Sequence, residues 1–144
     1  DFSEIRRNET SPLVGYKTMN YGDCILEKRA AAKAGMDERI FLNTCEEISE
    51  GTISNIFFVR GGKLETPAMG CGLLPGIIRE YLCETEEAEE TVIYQEMLNH
   101  YEECFVTNSL MGIMPVKQLG DRTFTQFGRT LDLREKYLKL IQNL

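Results

Sequence analysis

Tryptophan is absent from this 144-residue chain, histidine occurs once and proline four times. The lone histidine, His100, and five scattered cysteines (Cys24, Cys45, Cys71, Cys83, Cys104), none in a C-x-x-C pair, cannot make up a zinc set, so no metal site is expected. The cysteines read as reduced thiols of a cytoplasmic protein, several of them buried as small apolar residues. His100 lies in the polar stretch MLNHYEE and reads as a surface or helix-end residue without a chemical role. No apolar run approaches the roughly 20 residues of a membrane span. The opening DFSEIRRNE has neither the charge pattern nor the apolar core of a signal peptide. Basic residues are in the minority: 16 Lys and Arg against 23 Asp and Glu leave a net charge of −7. That argues against nucleic acid or an anionic membrane as the main partner. A small anionic ligand is not excluded, because it needs only a local set of donors. The chain opens on Asp1 without a methionine, so it is expected to be a processed product or a piece of a longer protein.

What is present suits one α/β domain over residues 1–144, with 42% apolar residues to build a core. Residues 19–34 read as a helix, with Leu26, Ala30 and Ala34 on one face and Gly35 as its C-cap. RIFLN (39–43) reads as a short buried strand. NIFFV (55–59) and KLET (63–66) form a hairpin across Gly61-Gly62. Pro75-Gly76 opens a helix whose apolar stripe is Leu74, Ile77, Ile78, Tyr81 and Leu82. The acidic run ETEEAEE (84–90) reads as a solvated loop or frayed helix end. TVIY (91–94), CFVT (104–107) and IMPV (113–116) read as strands, and the last helix carries a stripe of Leu133, Tyr137, Leu140, Ile141 and Leu144. The sum is a mixed sheet with helices packed outside.

Four polar clusters fall where apolar segments begin or end, which is where binding groups usually project. They are Lys17 with Asn20-Tyr21, Glu50-Gly51-Thr52, the Leu74–Ile78 helix start, and Thr107-Asn108-Ser109. Each alone has an ordinary structural explanation as a surface charge, a turn or a helix start. Their order is more telling. RRNETSPLVGYKTMNY, ISEGTISNIFFV, TPAMGCGLLPGIIRE and FVTNSLMGIMPV, in that succession, resemble the class IV aminotransferase family. That group holds branched-chain and D-amino acid aminotransferases and 4-amino-4-deoxychorismate lyases. The likeness runs from about Ile5 to the C-terminal helix.

The resemblance implies the cofactor pyridoxal 5′-phosphate and a sheet of pseudo-barrel form. It makes Lys17 the catalytic lysine that holds the cofactor as a Schiff base, and Tyr21 the hydrogen-bond partner of the cofactor's phenolic oxygen. Glu50 matches the carboxylate paired with the pyridine nitrogen, and Leu74 the residue packed on the ring. The amides of Ile77 and Ile78 match phosphate donors, as does Ser109 with Asn108 beside it. These roles are chemically sound. An amine that attacks an aldehyde must be partly neutral, which burial favours. Phosphate suits the free amides and dipole of a helix N-terminus. One departure is Ile78, where most relatives carry threonine and so offer a hydroxyl as well as an amide. The family also has a smaller N-terminal domain that nothing here matches, so the chain is expected to be the C-terminal cofactor-binding domain of a homodimeric parent. Asn-Ser-Leu-Met followed by Met-Pro-Val (108–116) points to the lyase, which releases pyruvate to give 4-aminobenzoate for folate synthesis. A branched-chain or D-amino acid aminotransferase is the alternative, and a catalytically silent isolated domain the second alternative. Either activity implies a small amino substrate.

Overall fold

Phe57 and Phe58 are neighbours pointing to opposite faces of one strand, and both are fully buried. A strand buried on both faces must lie in a sheet covered on both sides. The computed structural model describes residues 1–144. The chain opens with strand β1 (Phe2–Arg7), and helix α1 (Gly22–Lys33) then carries it back to β2 (Ile40–Asn43), parallel to β1. β3 (Ile48–Gly51) turns antiparallel onto β2 and completes a three-stranded sheet. β4 (Asn55–Arg60) and β5 (Lys63–Pro67) form the expected hairpin, with Gly61 and Gly62 at φ 57° and 77°, where glycine avoids the side-chain clash. Helix α2 (Ile77–Thr85) leads to β6 (Glu89–Thr91), parallel to β5. β7 (Glu103–Asn108) pairs with β4, and β8 (Gly112–Pro115) pairs with β7, giving a five-stranded sheet in the order β6-β5-β4-β7-β8. A short hairpin, β9 (Gln118–Leu119) and β10 (Arg122–Thr123), precedes helix α3 (Gly128–Gln142).

Two cores follow from this layering. One face of the five-stranded sheet (Ile56, Phe58, Cys104, Val106) packs with Ile40, Leu42 and Ile48 of the smaller sheet. The other face (Phe57, Val59, Phe105, Ile113) packs under Ile78 and Leu82 of α2 and Leu133 of α3. The chain is a mixed α/β structure of the expected class. α3 starts on a carboxylate: Glu103 of β7, only 5% exposed, accepts the amides of Arg129 and Thr130 at 2.9 and 2.8 Å.

Several sequence expectations need correction. α1 begins at Gly22 rather than residue 19, and its inward face is Cys24, Glu27 and Ala31, while Leu26 is 59% exposed. The spacing rule missed this because Glu27 is held inward by Arg39 at 3.5 Å, an ion pair that hydropathy reads as surface. TVIY is not a strand. Thr91 ends β6, Ile93 is buried and its carbonyl accepts the Ile48 amide at 2.8 Å, and Tyr94 makes an isolated bridge with Glu47. The acidic run is largely solvent-exposed and holds the end of α2 at Thr85, as expected, but it is more ordered than a loop: Glu89 and Glu90 lie in β6, Glu90 pairs with the buried Arg79, and Glu86 pairs with Arg129 at 2.7 Å. On α3 the stripe stops short. Leu133 is buried and Tyr137 half-buried, but Leu140, Ile141 and Leu144 are exposed. His100 lies exposed at the end of a 3-10 turn, and all five cysteines are free thiols, three of them buried.

Candidate active site

A cleft of about 670 Å³ opens where β3 and β7 end, β4 begins and α2 starts. Lys17, Tyr21, Glu50, Leu74, Ile77, Ile78, Asn108 and Ser109 all line it, so four stretches far apart in sequence meet there. A larger groove of about 1330 Å³ contains none of these residues, so size alone does not mark the site.

Glu50 sits in β3, 7% exposed. Its Oε2 accepts the Leu74 amide at 3.0 Å, and Arg7 Nε lies 3.3 Å from Oε1. That nitrogen is poorly aligned and makes no hydrogen bond, so the contact is an ion pair by proximity. Burial pushes the carboxyl up to about 7; the Leu74 amide and Arg7 pull it down, and the charge of Glu38 pushes it further up. Desolvation therefore outweighs the arginine. A carboxyl so placed exchanges a proton near neutral pH, and a nearby cationic nitrogen would return it to the carboxylate form. Arg7 is itself fixed, its guanidinium 4.2 Å above the Phe41 ring and donating to Cys24 Sγ at 3.0 Å.

The turn after Glu50 is clamped from outside the cleft. Glu38 Oε1 accepts the Thr52 amide at 3.2 Å, and Oε2 accepts the Ser54 hydroxyl at 3.0 Å. Gly51 has no room for a side chain, since a Cβ there would fall 2.2 Å from Ser54 Oγ. Asn55, the first residue of β4, bridges to the α2 start: its amide donates to the Leu74 carbonyl at 2.8 Å, and its Oδ1 accepts the Gly76 amide at 3.1 Å. A Cβ on Gly76 would lie 2.5 Å from that oxygen, so glycine permits the close approach. α2 has no side-chain cap, and the amides of Ile77, Ile78 and Arg79 donate to nothing in the chain. Such a helix start is suited to an anion. Ile77 projects its side chain outward, 77% exposed, whereas Ile78 is 2% exposed in the core beneath α2 and brings only its amide.

Across the cleft, Asn108 Oδ1 accepts the amides of Leu110 and Met111 at 3.0 and 2.7 Å, and its side-chain amide donates to the Ile53 carbonyl at 3.1 Å. Asn108 thus closes the β7–β8 turn and ties it to the turn after Glu50. Ser109 is exposed on the rim. Thr107 is 1% exposed, and its hydroxyl has no partner.

The Lys17 wall is built differently. Residues 10–20 hydrogen-bond only within or next to their own segment, as in Val14 to the Ser11 carbonyl at 3.2 Å and Tyr16 to the Leu13 carbonyl at 3.1 Å. Lys17 is exposed and Tyr21 is 37% exposed. Lys17 lies open to solvent, because no element of this chain covers residues 16–21. The motifs alone did not pick out Arg7, Glu38 and Asn55. Asn55 left a usable signal, as a polar residue heading the otherwise apolar strand NIFFV.

A model for "Amino-transferase class IV" matches residues 1–119. The aminodeoxychorismate lyase of Bacillus subtilis is 30% identical over 147 residues, covering 97% of this chain and 50% of the relative. Among solved structures, the branched-chain aminotransferase of the archaeon Thermoproteus uzoniensis with norvaline superposes with a TM-score of 0.91 at 28% identity, covering 97% of this chain and 50% of that one. The branched-chain amino acid aminotransferase of Thermobaculum terrenum in its PLP form gives a TM-score of 0.86 at 30% identity, covering 97% and 49%. The chain thus spans about half the length of these relatives.

Proposed function

Because the chain belongs to the class IV aminotransferase family, whose members depend on pyridoxal phosphate, we propose that it is the cofactor-holding half of a 4-amino-4-deoxychorismate lyase. The observation that carries the choice of lyase is the segment Thr107-Asn108-Ser109-Leu110-Met111 followed by Met114-Pro115-Val116. The cofactor fits what the chain offers: an uncapped helix start for a phosphate, a buried carboxyl for a ring nitrogen and a lysine on the same cleft.

When bound, pyridoxal phosphate supplies an electron sink for the substrate carbon that bears the amino group. Lys17 takes a proton from that carbon and returns one as pyruvate departs, leaving 4-aminobenzoate. With the cofactor bound, Glu50 would hold the proton of the ring nitrogen, and Tyr21 would hydrogen-bond the phenolic oxygen. The amides of Ile77 and Ile78, together with Ser109, would hold the phosphate. The whole enzyme should release pyruvate from aminodeoxychorismate; amino exchange with 2-oxo acids and no pyruvate would overturn the lyase reading. A branched-chain aminotransferase is the second reading, favoured by 33% identity over 129 residues to the putative branched-chain-amino-acid aminotransferase of Methanocaldococcus jannaschii, and it uses the same Lys17 for a proton shift. Cofactor binding by this chain is tested separately, by mixing it with pyridoxal phosphate, reducing with borohydride and mapping the adduct by mass spectrometry. Label is expected on Lys17. Label spread over surface lysines, or none, would instead support a silent domain.

A further inference from the structure

Two observations about Thr107 stand apart from the residues already assigned. Its hydroxyl is unpartnered in a residue 1% exposed, and a buried polar group without a partner is rare in a native chain. Strand geometry also fixes the way it faces. In β7 the side chains alternate, and Phe105, two residues earlier, packs against Ile78 and Leu82 of α2. Thr107 therefore faces the same side as Phe105, the side covered by α2. In β4, Phe57 belongs to the same core, so Asn55 faces that side as well, and Asn55 is the residue directly opposite Thr107 in the ladder. Asn55 Oδ1 in turn holds the Gly76 amide at 3.1 Å at the head of α2. Thr107 thus lies beside the residue that anchors the helix start, on the same cleft as the unused amides of Ile77 and Ile78.

We propose that Thr107 is a phosphate-binding residue of this site, its hydroxyl completing the anion seat at the start of α2. Resting on the cofactor reading above, the inference answers the departure at position 78. Ile78, buried in the core beneath α2, offers the site no hydroxyl, and Thr107 supplies one from the sheet side. The chemistry recognised is a phosphate monoester or free phosphate, bound by helix-start amides and two neutral hydroxyls, those of Thr107 and Ser109.

The test compares the 144-residue chain with Thr107→Val, which keeps the shape and removes the hydroxyl, and with Thr107→Ser, which keeps the hydroxyl. Dissociation constants for inorganic phosphate, pyridoxal phosphate and phosphate-free pyridoxal are measured by calorimetry or fluorescence. Thr107→Val should weaken both phosphate-bearing probes about tenfold and leave pyridoxal within about twofold, because a hydrogen bond to a charged group is lost. Thr107→Ser should stay within about threefold for all three. Thr107→Val should also melt at or above the wild-type temperature, because it removes a buried unpaired hydroxyl, so weaker binding with lower stability would point to misfolding and overturn the proposal. Unchanged phosphate affinity, or equal loss of pyridoxal, overturns it too. If phosphate binding depends on Thr107 while borohydride puts no label on Lys17, the anion seat stands and the cofactor reading fails. If Lys17 is labelled and Thr107→Val binds all probes like wild type, only the present inference fails.

Discussion

The two walls of the cleft are made in opposite ways. The Glu50 wall is held by bonds between elements far apart in sequence: Leu74 to Glu50, Asn55 to Leu74 and Gly76, and Ser49 to the Gly72 carbonyl at 2.8 Å. The Lys17 wall is held by short-range turns, with one clasp at its base, where Glu9 accepts the Thr44 amide at 3.0 Å. Its apolar side chains are open, with Leu13 at 58%, Tyr16 at 70% and Met19 at 100% exposure. Strand pairing therefore fully builds the half of the site that would grip the cofactor's ring nitrogen and phosphate. The half that carries Lys17 takes its position from a segment whose apolar side chains lie open to solvent.

The largest effect expected on this contrast comes from Glu50 and pH. Its carboxyl stands near 7 in the folded chain against an ordinary 4.5. Between those values the unfolded chain has already released a proton that the folded chain keeps. The stability linked to Glu50 is therefore full below about pH 4.5 and is lost as pH rises toward 7, by roughly 3 kcal/mol from this group alone. Glu9 is pulled down to about 2 by the Thr44 hydroxyl and amide and acts in the opposite sense below pH 4.5, so the two windows do not overlap. Urea unfolding across pH 4.5–7.5 should show the fall in wild type and a flatter profile in Glu50→Gln; matching profiles would mean that the wall is wetter than its burial indicates. Next in size is Asn55→Ala, which strips the Leu74 carbonyl and the Gly76 amide of their partner. It should cost about 2 kcal/mol in the same assay. A loss under about 0.5 kcal/mol would show that water replaces Asn55, and the two walls would then differ less than their bonding suggests.

The same contrast explains what the sequence could and could not reveal. The β4–β5 hairpin and the start of α2 were legible because Gly61-Gly62 and Pro75-Gly76 act locally. The gathering of Lys17, Glu50, Leu74 and Ser109 on one cleft came from the order of four motifs, since no local pattern joins residues so far apart. Three kinds of feature stayed hidden. β6 is an exposed edge strand set by backbone pairing with β5, and the buried face of α1 depends on a paired charge, Glu27 with Arg39, which hydropathy counts as solvent-facing. Glu38 and Asn55 act through bonds to backbone groups that no motif encodes. The exposure of Lys17 depends on which surfaces lie beside residues 16–21, which no motif encodes.

The smallest expected effect is also the sharpest test of the contrast. Lys17→Ala should change the unfolding free energy of this chain by no more than about 0.5 kcal/mol, because the side chain is exposed and its segment bonds mainly to itself. The same substitution should abolish the specific borohydride-trapped adduct while leaving inorganic phosphate affinity within about twofold, because the anion seat lies on the opposite wall. A stability loss near 2 kcal/mol would instead show that Lys17 is packed into the fold as firmly as Asn55. Unchanged stability with loss of the adduct would mean that the reactive amine sits outside the packed structure, so its placement over the cofactor depends on whatever covers Tyr16 and Met19.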